Sequence, residues 1–251
     1  TLLVLPSYPD PTPDRVIEQA AAIAQRIGSG ISAIVPVLER SKIARSYMHG
    51  TWLMDVPQLI DDALQKSSQA ADRLLDDFER VARSRGCLRE TIRGGTSFFA
   101  SSDQITRHAR LRDLTFLPVP EFIGLDELYT EGVIFGSGRP AILLPTTGAN
   151  RAPMSELNCA VVAWDFSRAA SRALADAMPI LEAAKQVRVV IFSNEKDIED
   201  LSTKDLERHL NSHGVKGNFD VINAESQPIG TAISSYVTSC QADLLVMGAF
   251  G

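Results

Sequence analysis

Short runs of consecutive apolar residues alternate along the chain with longer stretches whose apolar positions recur every three or four residues. The first pattern is that of strands buried on both faces, the second that of amphipathic helices. Residues 2–5 (Leu-Leu-Val-Leu), 31–38, 114–119 and 140–145 read as strands, and 87–92, which alternates, as a further one. Between them 16–27, 59–85 and 105–111 read as helices. Asp14 is placed to cap the first helix, and Gly28, Gly30 and Gly86 to end the first two. The long helix carries its apolar side on Leu64, Ala71, Leu74, Leu75, Phe78 and Val81, and Gly94-Gly95 after the third strand reads as a turn. Residues 39–57, with Trp52 and Met54, fit neither pattern and read as an insertion over one face. The Glu- and Gly-rich segment before 140–145 receives no element.

The order then restarts. Residues 146–156 are small and polar and make the best linker. Beyond them 160–164, 187–192, 219–223 and 244–247 read as strands. One helix, capped by Ser167 or Ser171, runs to about Lys185. A second covers 201–213 and ends at Gly214, and a third covers 228–239 with Ile229, Ile233, Tyr236 and Val237 inward. Strands that alternate with helices pair in parallel, through right-handed crossovers that cover both faces. The expected fold is therefore α/β, with two tandem open, mostly parallel five-stranded sheet units bearing helices on both faces. The units span 1–148 and 155–251, and the second shows no counterpart of strand 140–145.

Composition narrows the function classes. A net charge of −6 speaks against nucleic acid or an anionic membrane as the main partner. No apolar run approaches the ~20 residues of a membrane helix. Cys87, Cys159 and Cys240 are odd in number and far apart, with no CxxC pair, so they read as buried thiols near strand starts. With no basic leader at Thr1 to Leu5, they point to a reducing cytoplasm. There is no Walker A pattern, and Gly136-Ser137-Gly138 is not a nucleophile elbow. His209 and His213 stand four apart on a helix but lack the glutamate of a metalloprotease motif, and read as a solvated helix end. The basic cluster from Arg107 to Arg112 lies at a helix end, where cations offset the dipole, and reads as surface. No catalytic constellation stands out, so no enzyme is expected.

The stretch that carries chemistry is the last one. After the apolar run 244–247 come Gly248 and Gly251, where a strand hands over to a loop. Glycine there permits positive φ and lets a ligand approach main-chain N–H groups, although taken alone such a pair mostly marks a plain tight turn. Asp165 directly follows the strand 160–164, a position that also suits a helix cap.

Residues 158–181 (Asn-Cys-Ala-Val-Val-Ala-Trp-Asp-Phe-Ser-Arg and onward) resemble the opening strand and helix of the universal stress protein family. Residues 242–251 (Ala-Asp-Leu-Leu-Val-Met-Gly-Ala-Phe-Gly) resemble its fourth strand and nucleotide loop, and 137–145 the entry to its fifth strand. The resemblance implies an adenine nucleotide alpha hydrolase-like fold and a stress-response regulator that binds ATP or a related adenine nucleotide, with Mg accompanying the phosphates. It assigns Asp165 to the base, Phe192 to backbone contacts after the second strand, and Gly248 and Gly251 to the loop around ribose and phosphates. The distal G-[S/T] of that loop has no counterpart. Hydrolysis would be slow and incidental. The tandem copies are expected to pack on each other as an intramolecular pseudo-dimer, and two chains to associate as a homodimer.

The first half departs from this pattern. Its first strand ends Pro6-Ser7-Tyr8, and its fourth leads into Pro118-Val119-Pro120-Glu121. Proline offers no N–H to a phosphate, and Glu121 repels one. Only Gly136-Ser137 matches the distal G-[S/T], far from any glycine pair, so this half reads as scaffold. The rival reading is a nucleotide-free tandem scaffold acting through protein partners. A nucleotide-dependent ligase or transferase would show SGG-x-DS or H-x-G-H motifs, and neither is present.

Overall fold

The computed structural model describes residues 1–40, 56–96, 103–120, 126–147, 157–193, 203–224 and 227–249. The chain divides into two compact units, 1–153 and 154–251. Most of the stretch read as an insertion, including Trp52 and Met54, lies outside the described residues, as does most of the linker.

The first unit runs β1 (Leu2–Val4), α1 (Asp14–Arg26), β2 (Ile31–Leu38), α2 (Val56–Ser84), β3 (Leu88–Thr96), α3 (Asp103–Arg110), β4 (Thr115–Val119), α4 (Asp126–Gly136) and β5 (Ala141–Pro145). Its strands pair in parallel in the order β3-β2-β1-β4-β5. Right-handed crossovers moving outward from β1 put α1 and α2 on one face, and those returning put α3 and α4 on the other. Leu2, Val4, Ile34 and Leu117 pack with Ile105, Ala109, Tyr129 and Val133 on the second of these faces. β1 and β2 are buried along their whole length, as strands covered on both sides must be.

The second unit runs β6 (Cys159–Ala163), α5 (Arg168–Leu181), β7 (Gln186–Phe192), α6 (Thr203–Ser212), β8 (Gly217–Ile222), α7 (Ile229–Ser239) and β9 (Leu244–Val246). Its strands are parallel in the order β8-β7-β6-β9, the arrangement of β3-β2-β1-β4 in the first unit. Four strands are seen among the described residues, in keeping with a second unit that has no counterpart of strand 140–145. Val161, Val190 and Phe192 face α7, which contributes Ile233, Tyr236 and Val237. On that face a polar cluster replaces apolar packing at one point. Arg188 donates to Asp220 Oδ2 (2.6 Å) and to the Tyr236 hydroxyl (2.9 Å), and that hydroxyl donates to Asp220. The tyrosine hydroxyl, then Arg188, hold the Asp220 carboxyl below the usual carboxylate range, while burial and Asp220 push Tyr236 up.

Several details differ from the sequence reading. Gly94 and Gly95 are strand residues of β3, paired with Pro36 and Val37, and the space a Cβ would take is filled by Gln104 and Glu39. Pro13, not Asp14, stands at the N-cap of α1, and Asp14 is the first helical residue. Helix α4 had no sequence assignment; two glycines weaken its pattern, but Tyr129 and Val133, one turn apart, anchor it on the sheet. Pro36 is tolerated inside β2 because β1 pairs only as far as Ile34. Beyond that point the Ser7 hydroxyl donates to the Pro36 carbonyl at 2.7 Å. Cys87 and Cys159 are buried near strand starts, with burial pushing both thiols up, whereas Cys240 is half-buried at the end of α7.

Candidate functional site

In the second sheet the chain moves from β6 out to β7 and β8, then returns to the other side of β6 as β9. Such a reversal leaves a crevice at the carboxyl ends of the two diverging strands, where their loops depart to opposite faces. Asp165 and Gly248 lie there, one just past β6 and the other just past β9.

The β6 turn is built by local hydrogen bonds. Trp164 N–H still reaches the Val190 carbonyl (2.9 Å), so the strand holds to that point. Asp165 Oδ1 then accepts the Ser167 N–H at 2.9 Å, across Phe166, whose φ of 61° is left-handed. A left-handed phenylalanine costs about 1–2 kcal/mol, and such residues persist where the surroundings fix them. Ser167 is the N-cap of α5, accepting the Ala170 N–H at 3.0 Å, while the Ser171 hydroxyl donates to the Ser167 carbonyl. Of the two serines named from sequence, Ser167 therefore caps. Asp165 shapes the turn before the helix and is not itself the cap. The start of α5 sets the positive end of a helix dipole three residues from Asp165, a setting that favours anions.

Gly248 closes the other side. A Cβ there would lie 2.7 Å from Ala169 Cβ, 2.8 Å from Ala169 C and 2.9 Å from Ala170 N. The loop after β9 thus rests directly on the first turn of α5. Its φ is not left-handed, so space, not backbone twist, demands glycine here.

Phe192 ends β7 and lies level with Asp165, since Ala163 pairs with Val190 two residues earlier. Its side chain is buried against α7 and its neighbours, which leaves only its main chain to serve a ligand. Asp165, Phe192 and Gly248 are therefore brought to one edge of one sheet, and Gly251 lies outside the described residues. The sequence reading passed over Trp164 and Phe166. Their rings meet edge to face at 5.8 Å, and the buried Trp164 Nε1 has no hydrogen-bond partner among the described residues. Nothing in the residue pattern signals a left-handed phenylalanine.

Strand register compares the two units at this edge. Leu2 pairs with Thr115, the second residue after Asp113, and Val161 pairs with Leu245, the second after Asp243. Counting onward, Pro6 stands where the second unit has Asp165, and Pro118 where it has Gly248. Helix α1 begins eight residues after Pro6, whereas α5 begins three after Asp165. Several polar groups near the end of β1 are also engaged internally. The Pro6 carbonyl accepts both the N–H and the hydroxyl of Thr12, and the buried Ser7 and Ser67 hydroxyls are 3.0 Å apart. Ser67 Oγ also accepts the Leu38 N–H at 3.0 Å. Gly136 and Ser137, the one match to the distal G-[S/T], form the turn from α4 into β5, where Ser137 Oγ accepts the Arg139 N–H.

No family model matches the sequence, and no curated protein does. Solved structures do match. A universal stress protein from Archaeoglobus fulgidus DSM 4304 superposes with a TM-score of 0.70 at 15% identity, covering 98% of this chain and 84% of its own. The fold is that of a universal stress protein. A smaller one, UspA from Lactobacillus plantarum, covers 57% of this chain and 97% of its own at 15% identity, with a TM-score of 0.39. Among the described residues no group of three or more His, Cys, Asp or Glu side chains is disposed to hold a metal ion. No described helix is long and apolar enough to cross a membrane.

Proposed function

We propose that the second unit binds an adenine nucleotide, ATP or a close relative, at the crevice between β6 and β9. The protein would act as a stress-response regulator and not as an enzyme. The observation that carries this reading is the Gly248 loop seated on the first turn of α5 beside Asp165, at the point where the strand order reverses. In this reading Asp165 accepts from the base, the main chain after Phe192 lines the base, and the Gly248–Gly251 loop with the start of α5 receives ribose and phosphates. Any Mg would arrive with the phosphates. The first unit serves as scaffold, its two equivalent positions being Pro6 and Pro118. A cytoplasmic setting, packing of the two halves as a pseudo-dimer, and a homodimer belong to the same proposal.

The test is isothermal titration of the full chain with ATP, beside Asp165→Ala. Binding by the wild type and its loss in the variant are expected. Absence of binding at millimolar ATP sinks the reading and favours the nucleotide-free scaffold.

A further inference from the structure

A second cluster lies at the opposite edge of the same sheet. Helices α5 and α6 run back against the strands, so both end away from Asp165. His209 lies in the last turn of α6, and His213 in the turn that Gly214, at φ 74°, completes. Their ring centroids are 5.0 Å apart, with planes at 66°, and both residues are exposed. An ion bonded to two imidazole nitrogens at about 2.0–2.1 Å lies about 3.2 Å from each ring centre. A bond angle of about 90–110° at the ion then needs centroids about 4.5–5.2 Å apart. The observed spacing falls within that interval.

A third group bears on the pair from another element. Glu182, at the C-cap of α5, places Oε1 3.7 Å from His213 Nδ1. It is not a ligand, since no three such side chains converge on one point among the described residues. At 3.7 Å this is an ion-pair approach and not a hydrogen bond, and a carboxylate on the Nδ1 side leaves Nε2 as the nitrogen turned away from it, an outer placement of the kind that orients ligating histidines.

We propose that His209 and His213 form a two-histidine chelate for a late first-row divalent ion of the Zn2+, Ni2+ or Cu2+ class, completed by water. Glu182 orients His213 and so couples the end of α5 to the ion. Two imidazoles without oxygen donors select against Mg2+ and Ca2+. The competing account is that the pair only offsets the C-terminal dipole of α6 as cations, which requires no affinity for metal.

Titration calorimetry of the full chain with Zn2+ and with Ni2+, and with Mg2+ as control, tests the proposal. The wild type is compared with His209→Ala, His213→Ala, Glu182→Gln and, as a control histidine, His108→Ala. Far-UV circular dichroism separates loss of binding from loss of fold. One ion per chain in the wild type and in His108→Ala, none in His209→Ala or His213→Ala, and a drop of about tenfold or more in Glu182→Gln are expected. No Zn2+ or Ni2+ binding by the wild type, or binding retained in both His209→Ala and His213→Ala, overturns the site. Unchanged affinity in Glu182→Gln overturns the role of that carboxylate.

Discussion

Replacing Gly248 by Ala adds one methyl group where the residue after β9 meets the first turn of α5. That methyl would meet Ala169 Cβ at 2.7 Å, Ala169 C at 2.8 Å and Ala170 N at 2.9 Å. Carbon contacts settle at about 3.5–4.0 Å, so the loop and the helix must part by about 0.6–1 Å. Two of the three atoms are backbone in the first turn of a capped helix, so no flexible side chain can swing aside. Overpacking of this kind costs about 1–3 kcal/mol. In urea, where small proteins lose about 1–3 kcal/mol per molar, this corresponds to a midpoint lowered by on the order of 1 M for the second unit. Gly230→Ala is the matched control. A Cβ there meets nothing within 4 Å, and it lies in helix α7, so that change is expected to be neutral or to stabilise by up to about 1 kcal/mol. Equal midpoints for Gly248→Ala and the wild type would refute the claim that the loop rests on α5.

Two further changes probe the frame around the crevice and the polar cluster on the α7 face. Ser167→Ala removes the cap that accepts the Ala170 N–H and is expected to destabilise the second unit by about 1 kcal/mol, read as a lower urea midpoint. Tyr236→Phe deletes the hydroxyl shared by Arg188 and Asp220 and is expected to cost about 1 kcal/mol at pH 7. Because the folded Asp220 carboxyl lies below its ordinary value of 3.8, its contribution is complete above about pH 5 and is lost as pH falls through that value to the lower folded one. The tyrosine is the first cause of that depression, so the gap between Tyr236→Phe and wild type is expected to narrow from pH 7 to pH 3 in parallel urea series.

Residue order alone was enough for the α/β class, the parallel strands and most element positions. Buried parallel strands are continuous apolar runs, and amphipathic helices carry a 3.6-residue period, both visible without coordinates. Asp165 and Gly248 were legible for a related reason: each directly follows such a run, and topology sends the ends of neighbouring parallel strands to one edge. Helix α4 was not legible, because its two glycines blur the period and only contact with the sheet by Tyr129 and Val133 secures it. Nor was the strand character of Gly94 and Gly95, which depends on Gln104 and Glu39 filling the space beside them. The sequence named glycine at 248 but could not give the reason, because the close approach of α5 comes from residues about eighty positions earlier. The same holds for His209 and His213. Their spacing is written in the chain, but the placement of Glu182 beside His213 exists only once α5 and α6 have packed on one sheet.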